Sequence, residues 1–183
     1  MYAVIVGEPG VGKSSLVQRV VQELSLPVWG LVTRKGDTLE EKTGGFPVYL
    51  QHLRGYGQEG EGHLVAYCNR KQLEVRKEAF DDFAPLLSQP VPAGHLVLLD
   101  ELGVLERVSE NFCAAVLELL NRNQVGIIAL KHKDAAFLNQ VRGHQHCQCF
   151  CLSQENREEL FLQVLDFMQK ELNGKLAERI SLF

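Results

Sequence analysis

The sequence predicts an α/β fold of three layers, in which helices cover both faces of a mostly parallel central sheet. Short apolar runs alternate with longer segments of helical period, which is the pattern of a parallel sheet between helices. The candidate central strands are the runs YAVIVG, VWGLVT, HLVLLD, VGIIAL and CQCFCL. The candidate helices span roughly Lys13 to Leu24, Lys77 to Leu87, Ser109 to Asn121 and Gln154 to Leu172.

One region interrupts this alternation. The segment GGFPVYLQHLRGYGQEGEGHLVAYC contains two strand-like runs around a polar, glycine-rich loop from Arg54 to Gly62. This pattern predicts an antiparallel hairpin added at the edge of the parallel sheet. The charged segment before it, RKGDTLEEKTGG, is expected to form a surface loop.

Length and composition limit the possible classes of protein. A chain of 183 residues with 45% hydrophobic residues predicts a single domain over residues 1–183. The formal charge of −4 provides no basic field for nucleic acid, so binding to nucleic acid is not expected. No leader sequence or membrane-spanning run is recognised, and the odd number of cysteines, five, argues against a secreted disulfide framework. We therefore expect a cytoplasmic protein without a membrane partner.

The strongest motif follows the first strand-like run. GEPGVGKS matches G-x-x-x-x-G-K-[ST] and precedes a helical segment, as a phosphate-binding loop requires. Glycines let the backbone wrap around phosphate oxygens, with its N–H groups directed inward at the positive end of a helix. The sequence therefore predicts a nucleotide-binding loop made of Gly7, Glu8, Pro9, Gly10, Val11, Gly12, Lys13, Ser14 and Ser15. Lys13 would contact the β- and γ-phosphates, and Ser14 would bind Mg²⁺.

A second motif, HLVLLDELG, supplies two carboxylates after a buried strand. Asp100 would lie beside the phosphate loop and hold Mg²⁺, while Glu101 would face the γ-phosphate and polarise an attacking water. The alternative is a solvated strand end that begins a polar loop. For Glu106 two interpretations stay open: it orients the water or the Glu101 loop, or it is a charge at the start of a helix.

These segments together resemble the small P-loop nucleoside-triphosphatases of thermophilic archaea and bacteria, a family with a vertebrate cancer-related member. GEPGVGKSSL is similar to the family's phosphate loop, VWGLVT with the later GGF to its G-[FL]-x-T…G-F segment, and LLDELGVLE to its D-E-I-G-x-x-E signature. SQENREEL resembles the family's T-x-E-N-R segment before the final helix. The two last motifs are much more specific than the phosphate loop.

The resemblance implies a P-loop fold and slow hydrolysis with little base selectivity. It implies phosphate and metal contacts for Lys13 and Ser14, support of Mg²⁺ by Asp100, and activation of water by Glu101. It also makes Asn156 and Arg157 nucleotide-site candidates. Their alternative roles are a local helix cap around Asn156 and a surface arginine.

The sequence departs from the family after the threonine of VWGLVT. Relatives carry an acidic residue and then Val-Arg, whereas TRKGDTLEEK offers no clean counterpart of that arginine. The cation that stabilises the transferring phosphoryl group is therefore unassigned. The candidates are Arg34, Lys35, Arg107, Arg142 and Arg157, with Arg34 and Arg157 as the leading ones.

Three further segments invite functional interpretations that we do not favour. In HQHCQCFC, the alternation of Cys147, Cys149 and Cys151 predicts a buried, cysteine-lined strand instead of a zinc site. ALKHKDAA lacks the asparagine of the guanine-reading N-K-x-D motif, and a basic loop near the phosphates is an equal interpretation. Trp29 is expected in the core instead of stacking on a base.

The sequence thus predicts a Mg²⁺-dependent hydrolase that converts nucleoside triphosphates, ATP and GTP among them, to the diphosphate and phosphate. Two alternatives stay open. One is a kinase that transfers the γ-phosphoryl group to a small acceptor, with Asp100 or Glu101 taking its proton. The other is a nucleotide-dependent switch acting on a protein partner that the sequence does not identify.

Overall fold

The structure is a computed structural model that describes residues 1–40, 44–54, 62–69 and 73–180. Its strands are β1 (Tyr2–Gly7), β2 (Val28–Lys35), β3 (Phe46–Arg54), β4 (His63–Cys68), β5 (Leu73–Val75), β6 (Leu96–Leu102), β7 (Gly126–Lys131) and β8 (Cys147–Cys151). Its helices are α1 (Lys13–Leu24), α2 (Lys77–Ser88), α3 (Glu110–Asn121), α4 (Ala136–Arg142) and α5 (Arg157–Ile180), with a 3-10 turn at Glu106–Val108.

The strands form one eight-stranded sheet in the order β5-β4-β3-β2-β6-β7-β1-β8. Five neighbouring strands, β2, β6, β7, β1 and β8, pair in parallel. Strands β3, β4 and β5 continue the sheet from β2 with antiparallel pairing. The predicted parallel core and edge hairpin are therefore confirmed. Most of the predicted loop between Arg54 and Gly62 lies outside the described residues.

Two short elements were not predicted. Strand β5 has three residues and α4 has seven, so neither contains enough periods of apolar residues to stand out in the sequence. Helix α5 begins at Arg157 instead of Gln154 because the preceding residues form a hydrogen-bonded turn, and it continues beyond Leu172 to Ile180. Helix α3 begins one residue after Ser109, whose hydroxyl accepts the N–H of Phe112 as an N-cap.

Helices cover both faces of the sheet and bury two apolar clusters. Alternate residues of β1 enter different clusters: Val4 packs with α2, α3 and α4, and Ile5 packs with α1 and α5. This alternation follows from the two-residue period of a strand and confirms the three-layer arrangement. Strand β1 is buried along its whole length, so the residues that follow it are held firmly in place.

The prediction for Trp29 is confirmed, because it is 4% exposed and packs edge-on against His52. The prediction of a buried cysteine-lined strand is only partly correct. Cys147 and Cys149 are half-buried on one face, but Cys151 is exposed because β8 is the last strand of the sheet. Within the described part of the chain, no helix has the length and apolar character needed to cross a bilayer.

Candidate active site

The phosphate loop connects β1 to α1 and depends on glycine at three points. Gly10 and Gly12 have φ angles of 79° and 101°, in the left-handed region that glycine adopts without strain. A Cβ at Gly7 would lie 2.9 Å from the carbonyl oxygen of Leu152, so a side chain there would displace the neighbouring chain. Helix α1 then begins at Lys13, and its first turn faces the loop.

The rim of the loop is exposed, and its base is buried. Glu8, Pro9 and Gly10 are exposed, whereas Val11 is 7% exposed and belongs to the apolar cluster beneath α1. The Glu8 carboxylate lies 2.8 Å from Nδ1 of His132, and this hydrogen bond lowers the pKa of Glu8. The loop thus has a solvent-facing surface that is tied to the segment following β7.

Lys13 is folded back into the loop. Its Nζ donates hydrogen bonds to the carbonyl oxygens of Gly7, at 2.8 Å, and Glu8, at 2.9 Å. The residue is 5% exposed, and burial lowers the pKa of its ammonium, while the charge of Glu101 acts in the opposite direction. A buried cation is therefore held at the loop that was predicted to bind phosphate.

Ser14 and Asp100 meet although they come from distant parts of the chain. Ser14 Oγ donates a 2.9 Å hydrogen bond to Asp100 Oδ1, and Arg34 Nη1 lies 3.5 Å from the other carboxylate oxygen. Asp100 is 5% exposed, and burial raises its pKa, partly offset by the Ser14 hydrogen bond and the charge of Arg34. The two predicted metal ligands are therefore adjacent. Mg²⁺ accepts such oxygen ligands together with waters and substrate phosphates, so this pair fits the ion.

Glu101 leaves the regular strand. Its φ is +72°, which is uncommon for a residue with a side chain, and the β6–β7 register shifts between Leu99 and Leu102. Glu101 Oε1 lies 3.6 Å from Nζ of Lys131, the last residue of β7. The carboxylate is thus directed toward the strand that separates β6 from the phosphate-loop strand β1.

Glu106 supports the turn that follows Glu101. It is 2% exposed, and its Oε2 accepts a 3.0 Å hydrogen bond from the N–H of Gly103. Burial raises the pKa of this carboxyl group. Of the two interpretations left open by the sequence, these contacts favour a role in holding the Glu101 loop.

Three of the candidate cations differ in their surroundings. Arg34 reaches Asp100, as described above, and is therefore near the predicted metal ligands. Lys35 Nζ lies 4.5 Å from the centre of the Phe46 ring. Arg107 is exposed on the 3-10 turn. Of these three, Arg34 is the one with a described contact to a predicted site residue.

Arg142 contacts the segment after β7. Its guanidinium donates to the carbonyl oxygens of Lys131, at 3.4 Å, and Lys133, at 2.6 Å. These bonds fix the backbone where β7 ends. Lys131 itself was not among the candidate cations, because the sequence pattern was compared with a guanine-reading motif. Lys131 is the last residue of the buried strand β7, and the strand order shows that this end of the sheet lies between β1 and β6.

Asn156 and Arg157 follow the last strand. Asn156 accepts from the Ser153 N–H at 2.8 Å and donates to the Cys151 carbonyl at 2.9 Å, so its side chain stabilises the turn before α5. A Cβ at Gly12 would lie 3.8 Å from the guanidinium carbon of Arg157. Arg157 is therefore next to the phosphate loop, where it lines a cavity of about 170 Å³ that also contacts Ser15.

A larger cavity includes Asp100 in its lining. It has a volume of about 470 Å³ and runs between α1 and strands β2, β3 and β6. Its walls are mostly apolar, with Val21, Val32 and Leu98 among them, and one end is formed by Arg34 and Asp100. The cavity is thus large enough for a small molecule and adjoins the predicted metal ligands.

Solved structures share this fold. The crystal structure of THEP1 from the hyperthermophile Aquifex aeolicus matches with a TM-score of 0.68 and 22% identity, over 92% of this chain and 99% of that chain. The solution structure of a human cancer-related nucleoside triphosphatase matches with a TM-score of 0.61 and 24% identity, over 92% of this chain and 97% of that chain. These similarities confirm the predicted P-loop fold.

Curated sequences and a family model give the same relationship. Nucleoside-triphosphatase THEP1 of Thermococcus kodakarensis is 29% identical over 180 residues, which cover 93% of this chain and 95% of the relative. The mouse cancer-related nucleoside-triphosphatase homolog is 27% identical over 180 residues, which cover 90% of this chain and 95% of the relative. The model of a family described as NTPase matches residues 2–165. Because that match spans most of the sequence, the chain belongs to this NTPase family, as its motifs predicted.

Proposed function

We propose that the protein hydrolyses nucleoside triphosphates to the diphosphate and phosphate with the help of Mg²⁺. The observation that carries this proposal is the 2.9 Å hydrogen bond between Ser14 and Asp100. It brings the phosphate loop and the second carboxylate motif together, with Glu101 as the next residue. The names of the relatives, which are nucleoside-triphosphatases, support the same reaction.

Each residue has a distinct role in the proposed reaction. The backbone N–H groups of the loop from Gly7 to Ser15, which Pro9 lacks, and the Lys13 ammonium bind the phosphates. Ser14 and Asp100 hold Mg²⁺, which would neutralise phosphate charge. Glu101 orients the attacking water and accepts its proton, while Arg157 contacts the nucleotide beside Gly12 and Asn156 positions Arg157 by fixing the preceding turn.

We further propose slow turnover with low base selectivity. The assigned residues act on phosphates and metal, which every nucleoside triphosphate shares. We therefore expect ATP, GTP, CTP and UTP all to be hydrolysed. The proposed reaction with these residues would need no membrane and no nucleic acid as a partner.

The test is phosphate release by the purified protein with Mg²⁺ and each of the four nucleotides, beside the variant Glu101→Gln. We expect Glu101→Gln to keep its affinity for Mg²⁺ and nucleotide and to lose roughly 10²- to 10⁴-fold in rate, the usual contribution of a general base. Glu118→Gln, which changes an exposed carboxylate on α3, is the matched control. A variant Glu101→Gln with unchanged turnover would remove Glu101 from the reaction.

The cavity beside Asp100 favours one second candidate, a kinase that acts on a small acceptor. A mostly apolar cavity of about 470 Å³ would bind such a molecule with a hydroxyl group near the Asp100 carboxylate. The same assay separates the two functions. Nucleotide binding without phosphate release would favour the kinase, whereas release in the absence of any acceptor favours hydrolysis.

A further inference from the structure

Lys131 occupies the centre of the candidate active site. It ends β7, which lies between the phosphate-loop strand β1 and the carboxylate strand β6. In the β1–β7 ladder, Lys131 is directly opposite Gly7, the first residue of the phosphate loop. Its side chain extends to the other neighbour, so that Nζ lies 3.6 Å from Glu101 Oε1. Lys131 therefore links the two motifs that the sequence identified separately.

The surroundings of Lys131 restrain its side chain without enclosing it. A Cβ on Gly103 would lie 2.8 Å from Lys131 Cδ and 3.4 Å from Nζ, so the absence of a side chain there makes room for the lysine. Arg142 holds the Lys131 carbonyl. The lysine side chain is 27% exposed, so part of it is open to a ligand.

Lys131 lies in a cluster of mixed charge, with Lys13 and the carboxylates of Glu101, Asp100 and Glu106. Lys13 and Lys131 both interact with Glu101, and the charge of Lys131 contributes to lowering the pKa of Lys13. Two ammonium groups thus lie near the same Glu101 carboxylate. Phosphate oxygens would relieve the repulsion between them, because like charges at short range disfavour each other.

We propose that Lys131 is the cation that stabilises the phosphoryl group during transfer, the role that the sequence motifs left unassigned. This inference rests on the proposed hydrolysis. A bond forms from the water oxygen to the γ-phosphorus, and the bond from phosphorus to the β–γ bridging oxygen breaks. The electron pair of that bond stays on the diphosphate, and the water proton passes to Glu101. Lys131 remains protonated and interacts with the charge on the equatorial oxygens.

The contact between Lys131 and Glu101 has a place in the proposed reaction. The carboxylate holds the ammonium group in place between β1 and β6. When phosphate oxygens take over the interaction with Lys131, Glu101 is released to bind the attacking water. This exchange would couple the arrival of the γ-phosphate to the availability of the base.

The experiment compares Lys131→Met, which removes the charge but keeps an unbranched side chain, with Lys131→Arg, which keeps the charge. Lys133→Met is the matched control, because Lys133 is an exposed lysine two residues away. For each variant we would measure kcat and KM for Mg²⁺–ATP, and the affinities for ADP and for ADP with fluoroaluminate, which mimics the transferring phosphoryl group. Thermal unfolding would verify the fold, and Lys131→Gln replaces Lys131→Met if the latter does not fold.

We expect Lys131→Met to lower kcat by about 10²- to 10³-fold, as loss of a transition-state donor does, with ADP affinity changed less than about twofold. Its affinity for the fluoroaluminate complex should fall with kcat, and Lys131→Arg should recover part of both. An unchanged kcat, or an equal loss of ADP affinity, would overturn the proposal.

The two proposals fail in different ways. If the wild-type protein releases no phosphate, the hydrolysis proposal fails. The fluoroaluminate affinities then decide the role of Lys131 independently of turnover. Equal affinities of wild type and Lys131→Met for this complex would overturn the assignment of Lys131, whereas selective loss in the variant would support it.

Discussion

Gly30 in β2 is the position where a single methyl group should disturb both the sheet and the active site. Its φ is +145°, and a Cβ there would lie 2.1 Å from the carbonyl oxygen of Leu98, its partner on β6. Non-bonded atoms prefer separations of about 3.5 Å, so the strands would have to separate by roughly 1 Å in Gly30→Ala. The next pairs in this ladder, Leu31 with Leu99 and Val32 with Asp100, lead directly to the predicted metal ligand.

Two costs determine the expected loss of stability. Holding a residue with a Cβ in a sparsely populated backbone region costs about 1–3 kcal/mol. Overpacking of the interior costs about 1–3 kcal/mol more. We therefore expect Gly30→Ala to lower the free energy of unfolding by about 4 kcal/mol. For a chain of this length, each kcal/mol corresponds to about 2–4 °C, so the midpoint of thermal unfolding should fall by about 10 °C.

Gly94→Ala is the matched control for this measurement. Gly94 has a φ of +75°, but no atom lies within 4 Å of the position that its Cβ would take. This variant therefore includes the backbone cost without the clash. Chemical and thermal denaturation of both variants would separate the two effects. If Gly30→Ala is no less stable than Gly94→Ala, the close approach of β2 and β6 is not the reason for glycine at this position.

Two further predictions concern the loops of the site. Burial raises the pKa of Glu106 in the folded state above its ordinary 4.5. At pH values between the pKa of the unfolded state and that of the folded state, the folded protein binds more protons, so its stability falls as pH rises through that range. Denaturation at several pH values should therefore show a shallower decline for Glu106→Gln, which retains an acceptor for the Gly103 N–H. Asn156→Ala removes two hydrogen bonds to backbone groups, so the free energy of unfolding should fall by about 1–3 kcal/mol in denaturant titrations.

Each of these two predictions would be contradicted by a specific result. An equal pH slope in Glu106→Gln and wild type would mean that the charge of Glu106 does not oppose folding. A stability of Asn156→Ala equal to that of wild type would mean that the turn before α5 forms without this side chain. Asn111→Ala, which changes an exposed amide with a single hydrogen bond to Asp81, is the control for Asn156→Ala.

The parts of the fold that were predictable are those with a local pattern in the sequence. Four of the five parallel strands, β1, β2, β6 and β7, are largely apolar runs because they are buried on both faces, whereas β8 lies at the edge of the sheet. The phosphate loop is defined by glycines at fixed spacing. Strand β5 and helix α4 are too short to show a period. The β2–β6 contact at Gly30 also has no local signature, since the clash involves a strand more than sixty residues away.

The same distinction explains which site residues were found. Lys13, Ser14, Asp100 and Glu101 were identified because each stands at a fixed place in a motif. Lys131 was not among the candidates, because its proposed role depends on the order of the strands, in which β7 lies between β1 and β6. Strand order is a property of the whole sheet, and a single strand such as GIIALK does not contain it.

Glu101 shows why the final geometry of such a site is beyond local sequence reasoning. A glutamate with a φ of +72° contradicts its own backbone preference and must be held there by other contacts. The buried Glu106 carboxylate provides one, through Gly103, and Lys131 provides another at the side chain. Each of these two residues is unfavourable on its own, because Glu106 is a buried acid and Lys131 is a like-charged neighbour of Lys13. Local rules therefore fail together at this point, as expected at a candidate functional site.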